Sequence, residues 1–205
     1  MAVISEPSKK RLLRLVQLLA QERKQYPTKK KITSREIEEL TGWTNATIRR
    51  DISLLEVKCG SSNGYNMAGL YNAINLLFGL DGKQPQKKCC IVGLGRIGSA
   101  LLDYDGFDNS SFRLVAGFDS NVNRTEILNA SFPLYPTTRL EAVIKEQQIE
   151  YALLSVTEDQ ACTIATRLAE AGIKGIVNYT SAVLSVPETT AVENVSVISA
   201  LQKLI

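Results

Sequence analysis

Three glycines between residues 93 and 98 have the spacing of a turn that holds the phosphates of a nucleotide. In the pattern G-x-G-x-x-G, the first glycine allows a sharp bend, the second lets the backbone approach a pyrophosphate, and the third lets the next helix pack closely on the preceding strand. The N–H groups at the start of that helix attract phosphate. A glycine turn that binds no cofactor is the alternative. The predicted cofactor-binding residues of this turn are Gly93, Leu94, Gly95, Arg96, Ile97 and Gly98.

A carboxylate follows at the distance that a dinucleotide site requires. Asp119 lies 21 residues after Gly98 and directly follows the apolar segment 112–118, close to the spacing of roughly 20 residues expected for a ribose-binding acid. Such a carboxylate accepts hydrogen bonds from ribose hydroxyls and repels a 2′-phosphate, so we predict NAD(H) rather than NADP(H) as the cofactor. Arg124 is the one nearby residue that argues against this preference.

The elements that position the turn alternate between strand and helix patterns. A short apolar run at 88–92 precedes the turn, and the apolar runs 149–156 and 173–178 flank a helical segment at 159–171. This alternation is typical of an α/β fold with parallel strands. The sequence therefore predicts a Rossmann-type, doubly wound parallel sheet in the C-terminal part of the chain.

The charge is distributed unevenly along the 205 residues, although the net charge is only +3. Residues 1–81 contain 13 Lys/Arg and 8 Asp/Glu, which gives +5, whereas residues 82–205 contain 11 and 13, which gives −2. A glycine- and proline-containing segment at 79–86 predicts a linker at this point. We therefore expect an N-terminal domain at 1–81 that meets a polyanion; a merely solvated basic face is the alternative.

The N-terminal part has the pattern of a helix-turn-helix. Helical spacing of apolar residues predicts a first helix at 8–26. Thr33 and Glu36 have capping-box spacing ahead of a second helix that ends near Gly42, and Thr44 can cap a third helix at 45–55. The Gly-Ser-Ser-Asn-Gly segment at 60–64 predicts the hairpin of a wing, and 67–80 predicts a further helix.

The third helix could enter the major groove, where an arginine pairs with phosphate or with a guanine edge. An Arg-Arg pair alone is usually a solvated face. Taken together, the cap, the turn, the charge and the hairpin predict a winged DNA-binding domain that binds a double-stranded operator. The predicted DNA-binding residues are Thr44, Asn45, Thr47, Arg49, Arg50 and Lys58.

Composition narrows the class of protein. The chain has no histidine, which argues against most hydrolases, and its cysteines, Cys59, Cys89, Cys90 and Cys162, form no C-x-x-C pair. We expect reduced, structural thiols, no metal site and no catalytic residue; redox sensing by Cys59 is the weaker alternative. No apolar run reaches the roughly 18–20 residues of a membrane span, and the N-terminus lacks a signal-peptide pattern, so we expect a cytoplasmic protein.

The combination resembles the Rex family of redox-sensing transcriptional repressors over nearly the whole chain. The most specific matching segments are Tyr-Asp-Gly-Phe at 104–107 and Ala-Gly-Ile-Lys-Gly-Ile at 171–176. Further matches are the segments 47–53, 64–65, 91–98, 101–103, 177–178 and 192–195.

The resemblance implies a homodimer in which the C-terminal helix, residues 196–205, crosses to the other subunit, while residues 82–195 form the NAD(H)-binding domain. It implies that NADH binding closes the dimer and releases operator DNA. Tyr104 would then stand by the nicotinamide, although a core or interface aromatic is the plainer interpretation. The residues that would line the cofactor cleft are Val156, Thr157, Asn178 and Thr180.

Some positions depart from the family pattern. Gly60 and Ser61 stand where the family wing carries a Lys-Arg pair, which leaves Lys58 as the nearest base. Gln17 and Ser196 stand where the family switch has an arginine and an aspartate. One hypothesis is therefore a divergent Rex-like protein with weakened DNA binding or redox response that acts as an interaction module, unless Arg14 replaces the missing arginine. An NAD-dependent dehydrogenase is the remaining alternative, although histidine is absent and few residues follow the sheet.

Overall fold

A computed structural model describes residues 4–55, 60–61, 64–80, 85–107 and 110–205. Lys58, Cys59 and half of the predicted linker, residues 81–84, lie outside these residues. The chain divides into two compact units, Met1–Gln84 and Pro85–Ile205. Among the described residues, no helix combines the length and the apolar character that crossing a bilayer requires.

Unit 1 has the predicted winged helix-turn-helix arrangement. Its small sheet is antiparallel with strand order β1-β3-β2. Leu12, Ile37, Ile48 and Leu70 are fully buried or nearly so, and they belong to one apolar core that joins the helices. The elements are α1 (Glu6–Gln25), β1 (Lys31–Ile32), α2 (Ser34–Thr41), α3 (Asn45–Ser53), β2 (Gly60–Ser61), β3 (Gly64–Asn66) and α4 (Met67–Phe78).

The predicted helix signals are confirmed in unit 1. The Thr33 side chain accepts from the Glu36 N–H, and the Glu36 carboxylate accepts from the Thr33 N–H, so the capping box of α2 is complete. Gly42 ends α2 in the left-handed region at φ +74°, which glycine adopts without strain. Thr44 caps α3 by accepting from the Thr47 N–H at 3.3 Å. The turn between α2 and α3 is therefore fixed by local sequence.

Unit 2 is a six-stranded, all-parallel sheet with the order β6-β5-β4-β7-β8-β9. This is the Rossmann order 3-2-1-4-5-6, whose switch point lies between β4 and β7. The elements are β4 (Lys87–Val92), α5 (Arg96–Leu102), β5 (Phe112–Asp119), α6 (Val122–Ile127), β6 (Leu134–Pro136), α7 (Leu140–Gln147), β7 (Tyr151–Leu154), α8 (Glu158–Glu170), β8 (Gly175–Asn178), β9 (Ala191–Asn194) and α9 (Val197–Gln202). Two one-turn 3₁₀ helices, Asp105–Phe107 and Thr137–Arg139, complete the unit.

Helices cover both faces of this sheet, and the adjacent cysteines of β4 point to opposite faces. Cys90 belongs to the core formed with α7 and α8, whereas Cys89 belongs to the core on the α5 side. Burial raises the pKa of Cys89 to about 12 and raises that of Cys90 further. Both thiols are therefore structural.

Candidate functional site

The packing of the protein itself requires glycine at two positions of the turn. Gly93 has φ +92°, and a Cβ there would come within 2.6 Å of the Ser155 carbonyl oxygen. A Cβ at Gly98 would lie 1.9 Å from the Gly93 carbonyl oxygen. The first and third glycines therefore let β4, α5 and the loop after β7 approach one another.

The second glycine is different because nothing occupies the space beside it. A Cβ at Gly95 would meet no atom within 4 Å, and its φ of −71° is open to any residue. Gly95 is the N-cap of α5 and provides no side-chain cap, and Arg96 and Ile97 of the first turn are exposed. An open space beside uncapped N–H groups at the switch point fits a pyrophosphate.

Asp119 stands at the carboxyl end of β5, where its carboxylate also holds the turn. One oxygen accepts from the Leu94 N–H at 2.7 Å, and the other accepts from the Asn121 N–H at 2.7 Å. The Arg124 guanidinium approaches the first oxygen at 3.4 Å. The predicted ribose-binding acid thus lies next to the glycine turn, and it has a structural role that the spacing alone did not indicate.

The loop after β7 forms the other side of the turn. The Ser155 hydroxyl donates to the Gly93 carbonyl at 2.7 Å, a contact that the sequence analysis missed because the two residues are 62 positions apart. Val156 is half-buried, and Thr157 is exposed at the N-cap of α8 without a side-chain cap. The predicted residues Val156 and Thr157 therefore lie on the loop that packs against Gly93.

Asn178 organises the loop after β8. Its amide nitrogen donates to the Ala182 carbonyl at 3.0 Å and to the Asn194 side chain at 2.9 Å. Its amide oxygen accepts from the Thr180 N–H at 3.0 Å and from the Thr180 hydroxyl at 2.7 Å. Because the side chain is fully buried and already makes four hydrogen bonds, Asn178 positions this loop through its own partners.

Tyr104 lies at the opposite end of α5 from the glycine turn. Seven helical residues at 1.5 Å each separate the two ends by about 10 Å. Tyr104 is 56% exposed, and its ring packs edge-to-face on Phe107 at 5.8 Å. With Gln86 and Arg113, at the amino ends of β4 and β5, it lines a cavity of about 410 Å³. Within one chain, Tyr104 is not brought together with the turn, and its position by a nicotinamide stays a prediction.

The predicted DNA-reading residues lie on one short helix of unit 1. Arg49 and Arg50 are exposed on α3, and neither forms an ion pair with a described residue. The Thr44 and Thr47 hydroxyls are 2.9 Å apart, and the Asn45 amide donates to Glu38 of α2. The two arginines are therefore available to a ligand, whereas Asn45 is held by the neighbouring helix.

A partly buried ion pair that the sequence analysis missed ties α3 to α1. The Arg11 guanidinium donates to both oxygens of Asp51, at 2.6 and 3.0 Å, and also to the Ser8 hydroxyl at 3.1 Å. Asp51 lies on α3 and is buried. Its hydrogen bond with Arg11 raises the pKa of the Arg11 guanidinium. This pair fixes the orientation of α3 relative to α1.

Comparison with known proteins decides the family. The model for the CoA binding domain matches residues 84–182. The redox-sensing transcriptional repressor Rex of Lactiplantibacillus plantarum is 35% identical over 177 residues, which are 86% of this chain and 77% of that protein. Rex of Limosilactobacillus reuteri is 33% identical over 86% of this chain and 81% of its own. The chain belongs to the Rex family.

Solved Rex-family structures match the fold throughout. RSP, a Rex-family repressor, has been crystallised with beta-NAD⁺ and operator DNA; that structure has a TM-score of 0.89 and 30% identity, and the match covers 100% of this chain and 92% of RSP. Its complex with beta-NADH has a TM-score of 0.86, with 100% and 93% covered. The Rex-type winged helix-turn-helix followed by a Rossmann-type unit is therefore shown.

Two of the positions that depart from the Rex pattern, Gly60 and Ser196, have partners of their own. The Arg14 guanidinium lies 5.8 Å above the Trp43 ring, at the turn between α2 and α3, and Gln17 is exposed. Ser196 caps α9 by accepting from the Ser199 N–H at 3.2 Å. In the wing, Gly60 pairs with Tyr65, whose ring would lie 3.2 Å from a Cβ at that position.

Proposed function

We propose that this chain is a DNA-binding transcriptional repressor whose Rossmann-type unit senses the NADH/NAD⁺ ratio. Family membership supports it, as do the solved structures of RSP, one in complex with beta-NADH and one in complex with beta-NAD⁺ and operator DNA. Among this chain's own residues, one observation carries the proposal. The space beside Gly95 is open at the uncapped start of α5, and the same chain also has a helix-turn-helix.

The residues present fit a dinucleotide. The proposed pyrophosphate contacts are the N–H groups of the turn between Gly93 and Gly98, and Asp119 is the proposed acceptor for the adenosine ribose. The CoA-binding model matches the same region, and coenzyme A shares an adenosine diphosphate portion with NAD(H). When bound, NAD(H) supplies a nicotinamide ring whose oxidation state carries the signal. The further proposed lining residues are Val156, Thr157, Asn178 and Thr180, with Tyr104 contributed by a second subunit.

The proposed DNA contacts come from α3 and the wing. The exposed arginines Arg49 and Arg50 would pair with phosphates or guanine edges, while the first turn of α3 would face base edges in the major groove. The Arg11–Asp51 ion pair would hold α3 in position for both contacts. The remaining proposed contacts are Thr44, Asn45, Thr47 and Lys58.

We propose a homodimer with three functional segments, 1–81, 82–195 and 196–205. The C-terminal helix α9 leaves the apolar side chains of Val197, Ile198 and Leu201 exposed. A second copy of the chain that packed on α9 would remove these side chains from water. Two such subunits would present two α3 helices to a palindromic operator.

The coupling between the two binding events follows from linkage. A cofactor shifts an equilibrium between a DNA-competent and a released arrangement only by its differential affinity for the two. By reciprocity, DNA must weaken NADH binding by the same factor by which NADH weakens DNA binding. The repressor role also implies a cytoplasmic protein without catalytic turnover. The comparisons favour this function over the interaction-module alternative.

Fluorescence anisotropy with a palindromic, AT-rich duplex tests the proposal. We expect binding by the free chain and in the presence of NAD⁺, and release on addition of NADH. The matched variants are Gly95→Val, which fills the open space and should abolish only the response to NADH, and Arg49→Ala/Arg50→Ala, which should abolish only duplex binding.

Two results would contradict the proposal: flat anisotropy at low salt under every cofactor condition, or no dinucleotide uptake in calorimetry. Calorimetry also tests the weak-response hypothesis. A preference for NADH over NAD⁺ above about 100-fold, roughly 2.7 kcal/mol, would exclude it.

A further inference from the structure

We propose that Arg124 and Ser120 make the adenosine end of this site tolerant of a 2′-phosphate, so that the chain binds NADP(H) as well as NAD(H). The inference rests on the proposed dinucleotide function and extends its ligand range. It concerns the residues around Asp119, at the carboxyl end of β5.

Asp119 is poorly placed to repel a phosphate. An acid excludes a 2′-phosphate through an uncompensated negative charge and free lone pairs. Here the side chain is only 4% exposed, and its two oxygens accept from two backbone N–H groups at 2.7 Å while a guanidinium lies at 3.4 Å. Its charge is therefore largely compensated from within the chain, and much of its hydrogen-bonding capacity is already used.

Arg124 has the exposure and the spare donors that a phosphate contact needs. Its side chain is 51% exposed at the first turns of α6, and Asp119 is its only ion-pair partner among the described residues. A guanidinium has five N–H donors and binds phosphate oxygens in pairs. Because the contact to Asp119 is long, most of this capacity remains available for a ligand.

Ser120 adds a second donor beside the first. It directly follows Asp119, is exposed, and its hydroxyl makes no hydrogen bond to any described part of the chain. A hydroxyl and a guanidinium on either side of the ribose acid are chemical groups that recognise a phosphate ester. Ser120 and Arg124 therefore place one neutral donor and one cation next to the carboxylate of Asp119, whose charge is already compensated.

Titrations of NADH and NADPH, followed by nicotinamide fluorescence, test the inference. We expect the two affinities of the unmodified chain to lie within about tenfold. Arg124→Gln should weaken NADPH by roughly tenfold or more, the range of a charge-assisted hydrogen bond, and change NADH by less than about threefold. Arg124→Lys should restore part of the NADPH affinity, and raising the salt concentration should weaken NADPH more than NADH, because an exposed pair is screened.

Lys145→Gln is the matched control, because it removes an exposed cation from α7, away from the proposed site, and it should leave both affinities unchanged. Rejection of NADPH by more than about 100-fold in the unmodified chain would overturn the inference, as would an unchanged NADPH/NADH ratio in Arg124→Gln. In both of these cases NADH still binds, so the proposed function survives. If neither dinucleotide binds, the proposed function fails and the inference fails with it.

Discussion

The two units build their candidate binding surfaces by opposite means. On α3 of unit 1, side chains provide the candidate contacts, and the backbone behind them is an ordinary capped helix. At the turn of unit 2, the backbone provides the contacts, and Gly93 and Gly98 are there because the protein's own atoms leave no room for a Cβ. Substitutions of the exposed arginines on the first surface should therefore change affinity alone, whereas most substitutions at the second should also change stability.

The largest expected effect is a difference in protein stability between substitutions at two glycines of the turn. Gly98→Ala forces a Cβ against the Gly93 carbonyl and should cost more than about 3 kcal/mol of unfolding free energy or prevent unit 2 from folding. Gly95→Ala meets no atom and should leave stability within about 0.5 kcal/mol. Urea unfolding followed by circular dichroism measures both. Equal destabilisation by the two substitutions would contradict the difference in packing between Gly95 and Gly98.

In unit 1 the corresponding weak point is a side-chain pair. Asp51→Ala leaves Arg11 without its partner and should cost about 3 kcal/mol, because a partly buried charge is uncompensated. The double variant Arg11→Met/Asp51→Leu should recover most of this loss, since the charge is gone as well. Unfolding curves of Asp51→Ala, Arg11→Met and the double variant test the prediction, and losses that simply add would argue against a coupled pair.

Removing the exposed arginines should affect binding only. Arg49→Ala and Arg50→Ala should each weaken duplex binding by about 1–3 kcal/mol where the arginine contacts a base, or reduce the log-log salt slope by about 0.9 where it contacts a phosphate. The melting temperature should stay unchanged. Lys145→Ala, an exposed cation on α7, is the control for charge alone. A stability loss in the arginine variants would show that α3 depends on them for its fold.

The smallest expected effect is on the stability of the protein at acid pH. The Thr33 N–H, assisted by Lys29, lowers the pKa of Glu36, and the Arg167 guanidinium lowers the pKa of Glu141. Because both folded pKa values lie below the ordinary value of 4.5, their stabilisation is complete above that pH and is lost as the pH falls through the folded pKa. Glu36→Gln and Glu141→Gln should each flatten the acid limb of stability by under about 1 kcal/mol, since both side chains are 39% exposed. A loss at neutral pH that persists unchanged to pH 3 would contradict this.

Features determined by nearby residues were predictable from the sequence. The capping box of Thr33 and Glu36, the Thr44 cap and the strand-turn-helix around Gly93 each span only a few positions, and the structure contains all of them. The predicted strand 149–156 was too long: Ile149 is buried without belonging to β7, so its apolar character reflects packing and not pairing.

Features determined by distant residues were not predictable. Arg11 and Asp51 are 40 positions apart, and nothing local links them. The short strands β6 and β9 have no apolar alternation; every residue of β6 is half-buried and most of β9 is exposed. The position of Tyr104 depends on the direction in which α5 runs across the sheet, which spacing along the chain does not encode.

The paired cysteines of β4 have a consequence for signalling. A thiol attacks peroxide or a disulfide only as its anion, and with a pKa near 12 Cys89 is almost never ionised at neutral pH, while the pKa of Cys90 is higher still. Oxidants therefore find no reactive sulfur on this strand. A protein that senses the redox state of a soluble carrier gains selectivity from such unreactive thiols, because peroxide does not produce a second signal at the centre of its sheet.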